Sequence, residues 1–422
     1  MKNIVVFFCL AFGLLTDAIA QEKGQVRSAR TRQPLEGVNI YLQKDSVGLG
    51  ATDKEGTFDT RILRRCTPQD TIVFSHVGHT PLKCTTEILQ RSQYQVDLFE
   101  KIQMLSEVEV EAEEWSYFLD YESVSILPEA LYSFGSFIRD GKIYILAGDK
   151  TSIRIVYKPM MHTEYNRFRS PNIYVYDIDN NTWDEKKKRL IKRACHTAQV
   201  YNDRVYILGG VRYSTNRRRD YTDENIEVYD LKKDTVYKQA SNLHLAKNPV
   251  SFIYDDLLFI MGGSTKEYLY SNKIHALDLK HGYWFEVGEI PKPLQREMNG
   301  ILVGNTVYFF GGQRILTVCH DIHSYNLQTG EWKELGELNE SVIFPGLATQ
   351  GDLIFIYENR CLQVFNRITN HVSSYPINIE LENVGLHIYK NKLYIVGGCI
   401  RKGELVGPTS DIYSVDISKF YQ

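Results

Sequence analysis

One pattern of apolar and polar positions recurs six times along the chain. Turn-forming residues are followed by four consecutive apolar residues and, in most copies, by two glycines. The apolar runs occupy 143–146, 205–208, 258–261, 307–310, 353–356 and 393–396. A short apolar run bounded by turn residues is typical of a strand buried on both faces. We expect Asn, Asp and Gly before the run to form a tight hairpin, and the glycines to end the strand where another backbone comes close.

A second pattern follows most copies of the first. An apolar or aromatic residue stands seven positions before a tryptophan or a valine. The pairs are Tyr176 and Trp183, Tyr229 and Val236, Leu277 and Trp284, Tyr325 and Trp332, and Phe365 and Val372. This spacing predicts two strands joined by a polar hairpin. The repeat period of roughly 40 to 60 residues is that of propeller blades, in which four antiparallel strands pack around an axis.

The diglycine, the tyrosine and the spaced tryptophan together resemble the Kelch repeat. The resemblance covers the chain from about residue 122 to the end, although all three parts occur together only in the fourth repeat. It implies an all-β fold with a six-bladed Kelch-type β-propeller over 122–422. The last repeat leaves little chain for an outer strand, whereas 123–127 precedes the first repeat without a partner. We therefore expect 123–127 to complete the last blade and to remove an exposed edge.

The first twenty residues predict a secretory signal peptide. Lys2 is followed by an apolar run over 4–15 and by the small-residue sequence Ala18-Ile19-Ala20. This arrangement favours cleavage before Gln21, and the run is too short for a membrane span. We expect an exported protein, periplasmic or at the cell surface, with no other membrane span.

Residues 21–104 predict a separate small β-sandwich. Short β-like runs occur at 24–26, 37–42, 57–61, 71–75 and 94–99, with turn residues between them. The strings at 34–40, 52–58 and 72–78 resemble the carboxypeptidase regulatory-like domain of Bacteroidota surface proteins, which implies a non-catalytic module. Residues 105–121 are predicted to be an acidic, aromatic linker.

Composition narrows the classes of partner and cofactor. The formal net charge is −3, so the chain has no global attraction to nucleic acid or to a membrane. Export permits disulfides, and Cys66 and Cys84 lie in the same small domain, so we expect them to pair. No C-x-x-C pair indicates a metal site, and no cofactor is expected.

Basic residues concentrate in the loops predicted for one face of the propeller. The first long loop contains Arg154, Arg167 and Arg169, with Tyr165 and Phe168 between them. The second contains Arg212, Arg217, Arg218 and Arg219. Arginine suits carboxylates and phosphates, and aromatic rings suit sugars or bases. We expect these arginines to form one positive patch; the alternative is a solvated charged rim offset by acidic residues such as Asp220 and Asp223.

A second candidate site lies where inner strands begin, near the mouth of the channel. Arg193 and His196 begin the inner strand of blade two, and Arg296 and Asn299 begin that of blade four. Arginine at this position also resembles the Kelch pattern itself, which favours a structural role. No G-x-S-x-G, H-E-x-x-H or phosphate loop is present, so the catalytic residues, if any, are unknown.

Two functions follow as hypotheses. The first is an exported, non-enzymatic binding protein that recognises a glycan or protein partner, which the basic loops allow to be anionic, through the loop face of the propeller. The second rests on a resemblance to the Kelch-type sialic acid mutarotases, which are exported six-bladed propellers. It implies an enzyme acting on an anionic sugar, with Arg193 or Arg296 holding the carboxylate and Glu297 serving as acid or base. A basic, concave channel mouth with a buried carboxylate would favour the enzyme, and a flat rim with exposed aromatics would favour the binder.

Overall fold

The structure, a computed structural model, describes residues 23–100, 118–156, 162–266, 269–402 and 405–421. The chain divides into two compact units between Glu100 and Lys101. The predicted signal peptide and most of the predicted linker lie outside the described residues. Among the described residues, no helix is long and apolar enough to cross a membrane.

The N-terminal unit contains two sheets. The first has three strands in the order Thr57–Asp59, Lys23–Ser28, Gln95–Leu98. The second has four strands in the order Gly48–Ala51, Asn39–Leu42, Thr71–Ser75, Leu82–Thr85. A 3₁₀ turn, Thr60–Leu63, and one α-helix, Thr86–Arg91, complete the unit. All five β-like runs predicted from the sequence contain a strand, whereas Gly48–Ala51, Leu82–Thr85 and the helix were not predicted.

The two sheets of this unit share an apolar core. The ring of Phe58 in the first sheet lies 5.7 Å from that of Phe74 in the second. Both side chains are buried, together with Val26, Ile40 and Val96 from the neighbouring strands. Alternating burial along Lys23–Ser28 is the pattern of a strand with one face toward a core. The predicted sandwich therefore has a physical basis in these facing aromatic rings.

The predicted disulfide between Cys66 and Cys84 is wrong. Both residues are present as free thiols. Cys84 lies on Leu82–Thr85 with its side chain directed into the core, and burial raises the pKa of its thiol to about 12. Cys66 follows the 3₁₀ turn and remains partly exposed. Membership of the same small domain does not bring two side chains into the narrow geometry that a disulfide requires.

The C-terminal unit consists mainly of six four-stranded antiparallel sheets, one for each sequence repeat. The sheets are numbered in chain order. Sheet 1 contains Gly135–Arg139, Lys142–Asp149, Arg169–Asp177 and Thr182–Glu185, and sheet 2 contains Ala194–Tyr201, Arg204–Tyr213, Asn225–Asp230 and Thr235–Ser241. Sheet 3 contains Val250–Tyr254, Leu257–Met261, Lys273–Asp278 and Trp284–Glu289. Sheet 4 contains Glu297–Val303, Thr306–Arg314, Thr317–Asn326 and Trp332–Glu337, and sheet 5 contains Gly346–Gln350, Leu353–Glu358, Cys361–Asn366 and His371–Pro376. Sheet 6 contains Gly385–Tyr389, Lys392–Val396, Asp411–Asp416 and Glu122–Ile126.

Smaller elements lie between these strands. Asp220–Thr222 adds a fifth strand to sheet 2, and Ser264–Lys266 pairs with Leu269–Tyr270. Two 3₁₀ turns span Lys292–Leu294 and Ser418–Tyr421.

The inner strands form a ring. The first strand of each sheet contacts the first strand of the next, and Gly385–Tyr389 of sheet 6 contacts Gly135–Arg139 of sheet 1. Radial packing of this kind buries apolar faces that one sheet cannot bury alone. The fold is an all-β propeller, as the repeats predicted.

The spacing of seven residues has the predicted structural meaning. Tyr176 pairs directly with Trp183, Leu277 with Trp284, and Tyr325 with Trp332. The valine-containing copies pair in the same way. Each pair therefore marks the register between the third and fourth strands of its sheet.

Sheet 6 is completed from the other end of the repeat region, as predicted. Glu122–Ile126 pairs antiparallel with Asp411–Asp416, and Ser125 lies opposite Ile412. The Ser125 hydroxyl also accepts a hydrogen bond from Trp183 Nε1 of sheet 1 at 3.1 Å. The strand therefore joins the last repeat to the first and covers an edge that would otherwise be open.

A further sheet connects the same two repeats and was not predicted. Its strand order is His162–Asn166, Ser152–Val156, Leu405–Pro408, Cys399–Lys402. The first two strands belong to a loop of sheet 1, and the last two belong to the equivalent loop of sheet 6. We call this element the clasp sheet. It ties the ends of the ring together a second time.

The glycine pairs permit close backbone approach, as predicted. Gly312 has φ 108°, and a Cβ atom there would lie 2.1 Å from the carbonyl oxygen of Glu297. Sheet 5 has Tyr357-Glu358 at this place. There the Glu358 carboxylate accepts hydrogen bonds from the backbone N–H groups of Ile343 and Phe344 at 2.6 and 2.9 Å. A side-chain acceptor thus satisfies the incoming backbone where the glycines are missing.

Candidate functional site

A cleft of about 430 Å³ lies between the loops of sheets 1 and 2. Its walls come from two short segments, 165–168 and 216–218. The lining residues are Tyr165, Asn166, Arg167, Phe168, Asn216, Arg217 and Arg218. We call this the arginine cleft, because its formal charge comes from three arginines.

Arginine and aromatic side chains hold the two walls together. Arg167 Nη1 donates to the carbonyl oxygens of Arg217 and Arg218 at 3.3 and 3.4 Å. The Arg217 guanidinium lies 4.1 Å from the centre of the Phe168 ring, and that of Arg167 lies 4.8 Å from the centre of the Tyr165 ring. A cation over an aromatic face is attracted by the ring quadrupole. The guanidinium groups are thus placed by the protein before any ligand arrives.

The second wall is a loop with its own internal hydrogen bonds. The Ser214 hydroxyl accepts from the backbone N–H groups of Arg218 and Arg219 at 3.2 and 3.1 Å. Arg217 has φ 56°, a left-handed conformation that turns the chain just before these two donors. This local network fixes the shape of the loop that presents Arg217 and Arg218.

The cleft carries a positive formal charge from its three arginines. Within the described part of the chain, none of Arg167, Arg217 and Arg218 takes part in an ion pair. Tyr165 and Phe168 are 55% and 40% exposed, so their rings remain accessible at the surface. The cleft therefore offers guanidinium donors beside aromatic faces, which suits a carboxylate or another anion.

Arg169 is held by carboxylates of the chain itself and does not line the cleft. It is buried, with Nη2 2.9 Å from Asp220 Oδ1 and Nε 3.5 Å from Asp149 Oδ2, and its guanidinium lies 3.8 Å from the centre of the Tyr213 ring. Burial alone would lower the pKa of Arg169, but Asp149 and Asp220 outweigh it and raise the pKa. Arg169 therefore links the loop of sheet 1 to that of sheet 2.

The remaining predicted arginines of the loop face lie outside the cleft. Arg212 is half-exposed, with Nε 3.7 Å from Asp223 Oδ2. Arg219 is exposed on the loop that follows Arg218, and Arg154 is exposed on the clasp sheet. The structure thus brings together Arg167, Arg217 and Arg218, but it does not gather all seven arginines at one cleft.

A second, smaller pocket of about 120 Å³ is formed where the inner strands begin. Each of the six repeats contributes two consecutive residues. They are Ser133 and Phe134, Cys195 and His196, Asn248 and Pro249, Met298 and Asn299, Phe344 and Pro345, and Asn383 and Val384. None of these side chains is an arginine, lysine or carboxylate. His196 is buried, and burial followed by the charge of Arg193 lowers its pKa to about 3, so it is neutral.

Arg193 and Arg296 do not line this pocket. Arg193 is fully buried, with Nη2 3.0 Å from Glu227 Oε2, and it donates to the carbonyl oxygens of Gly209 and Asn225. Arg296 donates to the Gly311 carbonyl oxygen at 2.8 Å and to Asp321 at 2.7 Å. Both guanidinium groups join strands within their own sheets, which is the structural alternative that the Kelch pattern favoured.

Glu297 is buried beside Lys247, which the sequence analysis missed. Lys247 Nζ lies 3.3 Å from Glu297 Oε1. Burial alone would lower the pKa of Lys247, but the Glu297 carboxylate outweighs it and raises the pKa. The lysine therefore keeps its charge. The signal available in the sequence was the position of Lys247 directly before Asn248, at the start of an inner strand.

The described residues contain no group of three or more His, Cys, Asp or Glu side chains that could hold a metal ion. The buried histidines have other partners. His244 Nε2 lies 2.8 Å from the carbonyl oxygen of Gly262, and its Nδ1 lies 2.9 Å from His275 Nδ1.

Comparisons with family models identify both units of the chain. The KLHDC2/KLHL20/DRC7 Kelch-repeats domain matches residues 196–370, and the CarboxypepD_reg-like domain matches residues 22–110. The chain therefore combines a CarboxypepD_reg-like domain with a Kelch propeller.

Similar proteins agree with this assignment. Kelch-like protein 23 of Homo sapiens is 23% identical over 151 residues, which is 35% of this chain and 26% of that protein. Kelch-like protein 36 of Bos taurus is 23% identical over 194 residues, 45% of this chain and 28% of that protein. The chain thus spans little more than a quarter of the length of these relatives.

A solved structure, that of YjhT, has the same fold as the propeller. The TM-score is 0.56 at 11% sequence identity, with 68% of this chain and 95% of that chain covered.

Proposed function

We propose that this protein is a non-enzymatic binding protein whose propeller recognises an anionic glycan or protein partner at the arginine cleft. The observation that carries the proposal is the set of Arg167, Arg217 and Arg218 beside the exposed rings of Tyr165 and Phe168. Since the guanidinium groups of Arg167 and Arg217 are already oriented, binding an anion to them costs little side-chain ordering. The predicted export of the protein remains part of this proposal, so the partner would be met outside the cytoplasm.

The residues at the centre of the ring argue against the enzyme hypothesis. An anionic sugar held at the channel mouth needs a cation that faces the pocket, but Arg193 and Arg296 are bound within their own sheets. The pocket of about 120 Å³ is small beside ordinary ligand sites of roughly 300–1,000 Å³. The Glu297 carboxylate is already engaged by a cation of the chain, since its Oε1 lies 3.3 Å from Lys247 Nζ. The binding role is therefore the better supported of the two.

The direct test is a binding screen on the full chain with anionic glycans and acidic peptides. We expect binding that weakens as salt rises, because exposed charges are screened over about 8 Å at physiological ionic strength. The double reversal Arg217→Glu and Arg218→Glu should reduce affinity at least tenfold. Its thermal stability should stay close to that of the parent, because neither side chain forms an ion pair that folding relies on.

The matched control is the reversal Lys232→Glu and Lys233→Glu, on a turn of sheet 2. It produces the same change in net charge at another place. Equal loss of binding in both double variants would indicate attraction to overall charge and would refute a site at the cleft. Retention of binding in the arginine variant would refute it as well.

A further inference from the structure

The clasp sheet has an open edge beside the arginine cleft. His162–Asn166 is its outermost strand and pairs with Ser152–Val156 on one side. Within the described part of the chain, no strand pairs with its other side. Residues 163–166 are all exposed. An exposed edge presents backbone donors and acceptors that can pair with another extended chain.

The hydrogen bonds at the base of the hairpin fix which backbone groups point outward. Lys150 N–H donates to the Phe168 carbonyl oxygen at 2.9 Å, and the register continues unbroken into the pairs of Arg154 with Glu164 and Val156 with His162. In an antiparallel pair, hydrogen-bonded and non-hydrogen-bonded residue pairs alternate. Glu164 therefore bonds inward, whereas the N–H and C=O groups of Thr163 and Tyr165 point to the open side.

The open edge leads directly into the cleft. Tyr165 and Asn166 are the last residues of the strand and also line the cleft, and Arg167 follows them. A chain added to this edge would lie about 4.8 Å from it, the normal spacing of paired strands. One end of the added chain would then reach the guanidinium groups of Arg217 and Arg218 on the facing wall.

The charge of the cleft selects the chemistry of such a chain. Its lining contains three arginines and no acidic residue. Side chains of an added strand alternate between its two faces, so acidic residues at every second position would share one face. A glycan could use the arginines, but it has no backbone N–H and C=O groups in strand register to pair with Thr163 and Tyr165.

We propose that this edge and the cleft together bind an extended acidic peptide, which adds to the clasp sheet as a fifth strand. This inference rests on the proposed anion-binding role of the cleft and goes further by naming the partner as a peptide. Main-chain hydrogen bonds to the edge supply affinity, and the arginines supply the preference for acidic residues.

The test uses the full chain and a short peptide of alternating glutamate and valine, with binding measured by calorimetry. A second peptide carries N-methyl groups on the backbone nitrogens of alternate residues, which removes ladder donors and keeps the charge. Either the odd-numbered or the even-numbered residues of the peptide could point their N–H groups at the edge. One peptide is therefore methylated at the odd-numbered residues and another at the even-numbered residues. We expect at least one of them to bind tenfold more weakly than the parent peptide. A peptide of alternating glutamine and valine should bind more weakly still.

The matched variants change one backbone group. Thr163→Pro removes an outward N–H at an edge position, where proline is tolerated, and Thr163→Ala keeps it. We expect Thr163→Pro to weaken peptide binding at least tenfold and Thr163→Ala to leave it unchanged. Circular dichroism and thermal unfolding show whether the proline variant keeps its fold. If it does not, the comparison of methylated and parent peptides on the unaltered protein decides the question.

The outcomes separate this inference from the proposed function. Peptide binding that is unaffected by methylation in either phase refutes strand addition, whereas its loss in the double arginine reversal still supports the cleft. Binding of an anionic glycan such as polysialic acid, without binding of the acidic peptide, refutes the peptide as partner and leaves the cleft as the site. Binding of either probe that survives the arginine reversal refutes both proposals.

Discussion

Acidification should destabilise the propeller through His244, which folds in a neutral form. His244 is 2% exposed, and burial lowers its pKa from an ordinary value near 6.5 to about 4. Its Nε2 donates to the carbonyl oxygen of Gly262, so its Nδ1 is the acceptor for His275 Nδ1–H. A proton added to His244 would remove that acceptor. The unfolded chain carries no such restriction and takes up the proton more easily.

The direction and size of the effect follow from linkage. Because the pKa is lower in the folded state, the unfolded state binds more protons once the pH falls below about 6.5. The contribution of neutral His244 to the free energy of unfolding is therefore complete above pH 6.5 and is lost as the pH falls toward 4. Between pH 7.5 and pH 5.0, one histidine with these two pKa values costs about 2 kcal/mol of unfolding free energy.

Urea unfolding at pH 7.5 and pH 5.0 measures this loss. Other groups titrate over the same range, so the informative quantity is the difference between the parent and His244→Gln. The glutamine can still donate to Gly262 but does not titrate. We expect the loss of stability on acidification to be smaller in His244→Gln by about 2 kcal/mol.

The control is His371→Gln, which replaces an exposed histidine of sheet 5. It should show the same acid-induced loss as the parent. An equal loss in His244→Gln and in the parent would refute the claim that His244 is held neutral by burial. The acid-induced loss of stability would then have to come from other titrating groups.

Two further predictions concern closure and cysteine chemistry. Leu127 N–H donates to the Ser410 carbonyl oxygen, and the register places Ser125 in a hydrogen-bonded pair with Ile412, whereas Ile126 points its N–H outward. Ser125→Pro should therefore destabilise the propeller by roughly 1–3 kcal/mol more than Ile126→Pro in chemical unfolding. Ser125→Ala is the control for the lost hydroxyl. Equal effects of the two proline variants would contradict the pairing. For Cys66 and Cys84, mass spectrometry of the native protein should find two free thiols, with Cys66 alkylated before Cys84; a bridged pair would contradict the structure.

Most of the propeller could be predicted because its signals are local. In each repeat, a turn, a buried apolar run and a glycine pair lie within about ten residues, and together they specify one hairpin. The spacing from Tyr325 to Trp332 fixes the register of another strand pair. Ring closure by 122–126 was predictable by elimination, since one strand was missing at one end of the repeats and one was left over at the other.

Arginine roles could not be predicted in the same way. Arg193 and Arg217 are both arginines near the loop face, but one is fully buried beside Glu227 and the other is exposed over Phe168. The carboxylate that binds Arg193 lies more than thirty residues away on the third strand of the same sheet. Sequence shows the charge, whereas the partner depends on register and burial, which are set by the whole sheet.

The clasp sheet shows why the detailed shape of the cleft could not be predicted from the sequence. The cleft wall at 165–168 follows a hairpin whose other strand, Ser152–Val156, pairs with Leu405–Pro408 of the last repeat. No local signal relates segments that far apart. Pairing becomes possible only because the ring closes and brings sheets 1 and 6 side by side. The cleft therefore depends on contacts at both ends of the repeat array, and closure of the propeller positions the candidate binding site as well as protecting its edge.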